Sequence, residues 1–234
     1  MDDKDASESP IEIPQFTQSE LTPTYHYSET KGGLVLGCEH YMRECKLRHP
    51  STGELYTCRL CCEEIRQNRR YNDEDLPQLD RYNVTEVLCM KCGSLQPAGK
   101  VCVNHECESN TKSKPFAEHY CNICHLYSDS GTDIYHCPFC NVCRKGKGLG
   151  IDFRHCMRCN ACVAIGEKHK CIPQRLMGNC PICHESMFES TEPLRGMKCG
   201  HVMHLSCFNA YLSRSTLGKI TCPLCKLSFD NMRG

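Results

Sequence analysis

The spacing of cysteine and histidine constrains this chain more than any other feature. Its 234 residues include 24 cysteines and 12 histidines, with no tryptophan and few large aromatics. Such a chain cannot bury one large apolar core, so several small, covalently or metal-stapled modules are expected. The cysteines recur as C-x2-C pairs interspersed with histidine, which suits tetrahedral Zn²⁺ better than disulfides. The opening Met-Asp-Asp-Lys-Asp carries no apolar signal segment, so a reducing compartment, cytoplasm or nucleus, is expected. No apolar run reaches bilayer length, so no membrane partner is expected. A formal net charge of zero recommends no polyanion.

The densest stretch reads Cys180-Pro-Ile-Cys183, Cys199-Gly-His201, His204, Cys207 and Cys222-Pro-Leu-Cys225. Eight soft ligands in four pairs can hold two ions. Neighbouring pairs would make two loosely coupled fingers, whereas alternate pairs would interlock into one cross-braced module. The order of ligands resembles a RING finger of the two-histidine type. That resemblance implies a ββα module with Cys180, Cys183, His204 and Cys207 on one zinc. Cys199, His201, Cys222 and Cys225 hold the other. With every position filled by protein, such zincs are structural rather than catalytic.

Upstream, Cys38-x-His40 with Cys58-x2-Cys61 makes one four-ligand set, and Cys89, Cys92, Cys102 and Cys107 make another. His105, inside the last pair, is read as solvent-facing, and Cys45 and Cys62 are left without a complete site. Between residues 121 and 171 a unit repeats: C-x2-C, a spacer, then histidine beside cysteine. Sharing within each unit gives three sets. They are Cys121, Cys124, His136, Cys137; Cys140, Cys143, His155, Cys156; and Cys159, Cys162, His169, Cys171. Sharing between neighbouring units is the alternative. The spacers favour short strands and turns with little helix. Residues 1–36, rich in Ser, Thr, Asp, Glu and Pro, read as a disordered arm.

The segments Cys38-Glu-His-Tyr-Met-Arg-Glu-Cys45 and Tyr135-His-Cys-Pro-Phe-Cys-Asn-Val-Cys143, with the RING-like stretch, resemble the CHY/RING ubiquitin-ligase family. Gly148-Leu-Gly-Ile-Asp-Phe153 is similar to its hemerythrin-bearing, iron-responsive branch, although this chain has no room for hemerythrin helices. The resemblance divides the chain into a CHY finger (37–115), a CTCHY finger (116–176), a RING-H2 finger (177–229) and a tail (230–234). It implies an E3 ubiquitin-protein ligase with no catalytic cysteine. The RING would dock a ubiquitin-charged conjugating enzyme through Ile182, Tyr211, Pro223 and Lys226, and the amino-terminal fingers would select a protein substrate for proteasomal degradation. Rival readings are a non-catalytic scaffold and a nucleic-acid binder using Arg144, Lys145, Lys147, Lys168 and Lys170. No stacked aromatics or recognition helix support the latter. The family's CHY finger has a second site whose Cys-Cys pair falls here on Ser51 and Thr52 and whose later histidine falls on Pro77. Cys62 alone survives, so seven zinc ions are expected, unless Cys45, His49 and Cys62 form a rearranged eighth site.

Overall fold

The computed structural model describes residues 16–68, 77–112, 114–214 and 220–228. The chain divides into two compact units, Met1–Thr132 and Asp133–Gly234. Both are built mainly of short antiparallel hairpins, which is the serial-module architecture expected of a chain with so little apolar core.

In the first unit the expected disordered arm is folded from Phe16 onward, while residues 1–15 lie outside the described residues. A single helical turn, α1 (Gln18–Leu21), starts at a Thr17–Glu20 capping box, where each side chain satisfies an N–H that the helix leaves unpaired. The buried Lys46 clamps its far end by donating to the carbonyls of Glu20 and Thr22 at 2.7 Å each. Next, β1 (Tyr25–Ser28) pairs with β2 (Gly33–Leu36). Polar composition predicted disorder because it weighs only the burial available; the capping box and the hairpin are local signals that it ignores.

The larger sheet is assembled from β3 (Cys45–Arg48), β4 (Leu55–Tyr56) and, after helix α2 (Arg59–Asn68), β5 (Glu86–Cys89) and β6 (Leu95–Pro97). Its order is β4-β3-β5-β6, all antiparallel, with Cys45 opposite Cys89 and Leu47 opposite Val87. Val87, Leu88 and Cys89 are all buried, which is why β5 reads as an unbroken apolar run. Leu47, Tyr56, Leu79, Val84, Phe116 and Tyr127 complete this core. Arg43 lies within it, donating to the carbonyls of Thr57 and Tyr127 and stacking on the Tyr127 ring. A buried cation is tolerable only with such partners. A hairpin of β7 (His119–Cys121) and β8 (Leu126–Ser128) ends the unit.

The second unit begins with two more hairpins, β9 (Ile134–Cys137) with β10 (Val142–Lys145) and β11 (Phe153–Cys156) with β12 (Ala161–Ala164). A ββα module follows: β13 (Leu194–Gly196), β14 (Val202–His204) and α3 (Leu205–Arg214). Its core is made of Met187, Met197, Val202 and Met203, and it continues into Ala161, Val163 and Leu176 upstream. Among the described residues no helix is long and apolar enough to cross a membrane.

Candidate metal centres and docking face

Six C-x2-C pairs close tight turns, and the residue after each second cysteine has positive φ. These residues are Gly93 (+74°), His125 (+43°), Asn141 (+52°), Asn160 (+49°), His184 (+63°) and Lys226 (+62°). This left-handed step turns backbone N–H groups inward. Those of Gly93, His184 and Lys226 donate to the carbonyl of the first cysteine at 2.8–2.9 Å. Those of Cys124 and Cys140 reach the sulfurs of Cys121 and Cys137 at 3.4 and 3.5 Å. Cys58-Arg-Leu-Cys61 instead enters α2, so Cys62 continues the helix and is buried in the core.

Among the described residues, seven groups place at least three possible donors within 4.8 Å of one another. Cys38, His40, Cys58 and Cys61 form one, with S–S separations of 3.6 Å and His40 Nδ1 3.6–3.9 Å from the sulfurs. Cys89, Cys92, Cys102 and Cys107 form another, with Cys89–Cys107 at 3.7 Å and Cys92–Cys102 at 3.5 Å. A tetrahedron with Zn–S near 2.3 Å has edges of about 3.8 Å, so the donor sets fit zinc. The other nitrogen of His40 lies 3.2 Å from Glu64, the kind of partner that fixes a ligating imidazole's orientation.

The repeat does not share its ligands as expected. Cys137 and Cys140 come together with His155 and Cys162, and Cys156 and Cys159 with His169 and Cys171. His155 Nδ1 lies 3.7 and 3.4 Å from the sulfurs of Cys137 and Cys140, while Cys171 lies 3.7 Å from Cys156 and 3.3 Å from His169 Nε2. The same residues are used, but each set borrows across the unit boundary read from the sequence. The turns decide this: Cys137–Cys140 and Cys156–Cys159 are the closed pairs, because Asn141 and Asn160 supply the left-handed step. Cys121 and Cys124 close the β7–β8 turn, and His136 faces Cys143 across β9–β10. The Cys159 N–H, donated to Cys156, helps hold that thiol down to about 6, which favours the ligating thiolate.

In the ββα module the cross-braced alternative holds. The Cys207 thiol contacts those of Cys180 and Cys183, and Cys183 lies 3.2 Å from His204 Nδ1. Cys199 contacts Cys222 and Cys225, and His201 Nδ1 lies 3.6 and 3.7 Å from Cys199 and Cys222. The tips of the two terminal turns present exposed apolar side chains, Ile182 at 36 % and Leu224 at 54 %. Pro223 is half-buried beside Leu224. Tyr211 is braced by its hydroxyl, which donates to the Thr221 carbonyl at 3.0 Å. The exposed Lys226 ammonium turns back onto the Pro223 carbonyl at 3.0 Å. Leu224 is a tip residue that the sequence reading did not single out, although Ile182 and Leu224 occupy the same place in their respective turns.

The rearranged site of Cys45, His49 and Cys62 does not assemble. His49 is buried, its Nδ1 accepting from the N–H groups of Ser51 and Thr52 at 3.1 and 3.3 Å and its Nε2 lying 3.0 Å from the Pro77 carbonyl. Neither nitrogen is left for a metal. Burial pushes the Cys45 thiol up to about 12 and raises that of Cys62, and both pack in the apolar core of the unit. Of the basic strip, Arg144 is engaged with Phe188, donating to its carbonyl at 3.4 Å and lying over its ring.

Residues 38–114 match the CHY zinc finger family and residues 178–226 the Ring finger domain family. The chain is 45 % identical over 199 residues to zinc finger protein BRUTUS of Arabidopsis thaliana, covering 85 % of this chain but 14 % of that protein. It is 35 % identical over 202 residues to the E3 ubiquitin-protein ligase SRFP1 of Oryza sativa subsp. japonica, covering 86 % and 71 %. It is 34 % identical over 214 residues to the probable E3 ubiquitin-protein ligase RZFP34 of the same species, covering 91 % and 68 %. Two zinc-binding family matches, a cross-braced ligand set and this coverage together place the chain in the family of CHY- and RING-finger proteins that includes these E3 ubiquitin-protein ligases.

Proposed function

We propose that this chain acts as a RING-type E3 ubiquitin transferase. A non-covalent ligase works by holding a charged conjugating enzyme in an attack-ready geometry, which is catalysis by orientation. The observation that carries the reading is the pair of cross-braced turns, whose fixed tips carry Ile182 and Leu224 beside Pro223. These apolar tips are the docking face for the conjugating enzyme. Lys226 would bridge to ubiquitin after giving up one exposed hydrogen bond, a net cost of about 1 kcal/mol. Lysine lacks arginine's planar fork, so that bridge is loosely defined. Tyr211 contributes ring area while its hydroxyl stays tied to Thr221. The CHY (37–115) and CTCHY (116–176) fingers would select a protein substrate for degradation in the cytoplasm or nucleus.

All metal sites in this proposal are structural zinc sites, seven in number. The Cys38, Cys89, Cys137 and Cys156 sets take one each and the RING finger (177–229) two. By count, the donors of the repeat that are left over account for the seventh. The hydrogen-bonded His49 supports the absence of an eighth. Incubating the zinc-loaded protein with a broad panel of conjugating enzymes, ubiquitin and ATP tests the proposal. Polyubiquitin, including on the chain itself, is expected with at least one of them. A chain inert with all of them would be a scaffold.

A further inference from the structure

The RING-like module does not fold against solvent alone: the last zinc hairpin of the repeat is built into it. Cys156, Cys159, Ala161 and Val163 of that hairpin share one buried core with Met187, Met197, Cys199, Val202, Met203 and Cys222. The two sites meet at Gly200, the single residue between Cys199 and His201. Its φ is +93°, and a Cβ added there would lie 2.9 Å from the Lys170 carbonyl and 3.0 Å from Ile172 Cγ1 and Cδ1. Lys170 and Ile172 flank Cys171, which belongs to the Cys156 donor set. The backbone between two ligands of the RING therefore packs against the segment that carries Cys171, at a point where a side chain on Gly200 would not fit. Arg144 adds a second tie from the preceding hairpin to Phe188, in the loop after Cys183.

We infer that the Cys156 donor set and the second donor set of the RING are one cooperative metal unit, so that losing zinc from the hairpin disables the docking face. A ligand loop at a small zinc site has little core of its own, so the ion fixes the course of residues 169–171. With the ion gone that segment is released, Ile172 withdraws from Gly200, and the Cys199–His201 loop loses the wall that holds its two donors in place. Packed cores switch between arrangements rather than deform gradually, so the effect passes on as loss of the second ion. Ile172 is thus a positioning residue for the RING, although it touches neither metal nor conjugating enzyme.

Native mass spectrometry of the full chain during stepwise chelation tests this directly. The wild type should release two ions together from this region, so that the species short of one of them does not accumulate. Ile172→Ala removes the contact but no ligand, and should let the one-ion-short species appear. His169→Ala should lower zinc content by two ions, whereas Cys92→Ser, in the first unit, should lower it by one. The transfer readout rests on the ligase proposal: single-turnover ubiquitin discharge should fall at least tenfold in His169→Ala. If the wild type proves inert in transfer, the ligase proposal fails, and the zinc stoichiometries decide the coupling by themselves. Loss of a single ion in His169→Ala, with wild type and Ile172→Ala releasing their ions alike, would overturn it.

Discussion

At the scale of single residues, His49 does with hydrogen bonds what the rest of the chain does with metal. Its imidazole ties the Ser51–Thr52 turn to the backbone at Pro77. Removing it leaves two N–H groups and a carbonyl without partners, at about 1–3 kcal/mol for each that stays buried. His49→Ala should therefore lower the urea midpoint of the first unit by the equivalent of at least about 2 kcal/mol, with zinc content unchanged. A lost ion would mean that His49 is a ligand after all. Asn160 is a second case. Asparagine and glycine tolerate its left-handed backbone at little cost, whereas valine costs well over the 1–2 kcal/mol of an ordinary residue there. Asn160→Gly should keep the zinc affinity of the Cys156 set, and Asn160→Val should weaken it by tenfold or more, as read by competition with a chromophoric chelator.

At the scale of elements, the donors that the structure groups together were legible in the sequence, but the partition of the repeat was not. Three cysteines at intervals of three, as in Cys137, Cys140, Cys143 and Cys156, Cys159, Cys162, allow two choices of closed turn. The residue after the turn resolves the choice, because it must adopt positive φ. Asn160 can do so, whereas Val163, β-branched and in β12, cannot without strain. The RING was legible because its ligand order matched a known one, which spacing alone left open. The folded stretch after Phe16 starts from local signals that composition does not weigh, the capping box and the hairpin, and is held by Lys46 and the Glu20 side chain, which accepts from the Leu55 N–H, partners distant in sequence. These elements are too short to stand without metal. Zinc contributes about 10–16 kcal/mol apparent per structural site in small peptides, against a net domain stability of about 5–15 kcal/mol. Strong chelation should therefore abolish protease resistance. A chelated chain that still resists protease would contradict the modular picture.

At the scale of the whole molecule, neutrality conceals a division. Residues 133–234 contain 14 Lys and Arg against 7 Asp and Glu, and residues 1–132 contain 14 against 21. A positive second unit would favour a polyanion, but each zinc on three thiolates and a histidine adds one net negative charge. Four such sets lie in the second unit, so its excess shrinks to about +3 when loaded. Nucleic acid should therefore bind no more tightly than the general electrostatic background of about 10⁻⁴–10⁻⁶ M at physiological salt. A salt-resistant, sequence-specific shift would revive the nucleic-acid reading.

The ligase proposal requires two zinc-fixed turns to present a docking face that activates a charged conjugating enzyme without covalent chemistry. Single-turnover discharge by wild type and Ile182→Ala, with zinc content checked on the same samples by native mass spectrometry, addresses it most directly. Ile182 is exposed at its tip and ligates nothing, so the variant should carry the same number of ions and lose at least tenfold in rate. Discharge unchanged in a fully loaded Ile182→Ala protein would contradict the claim.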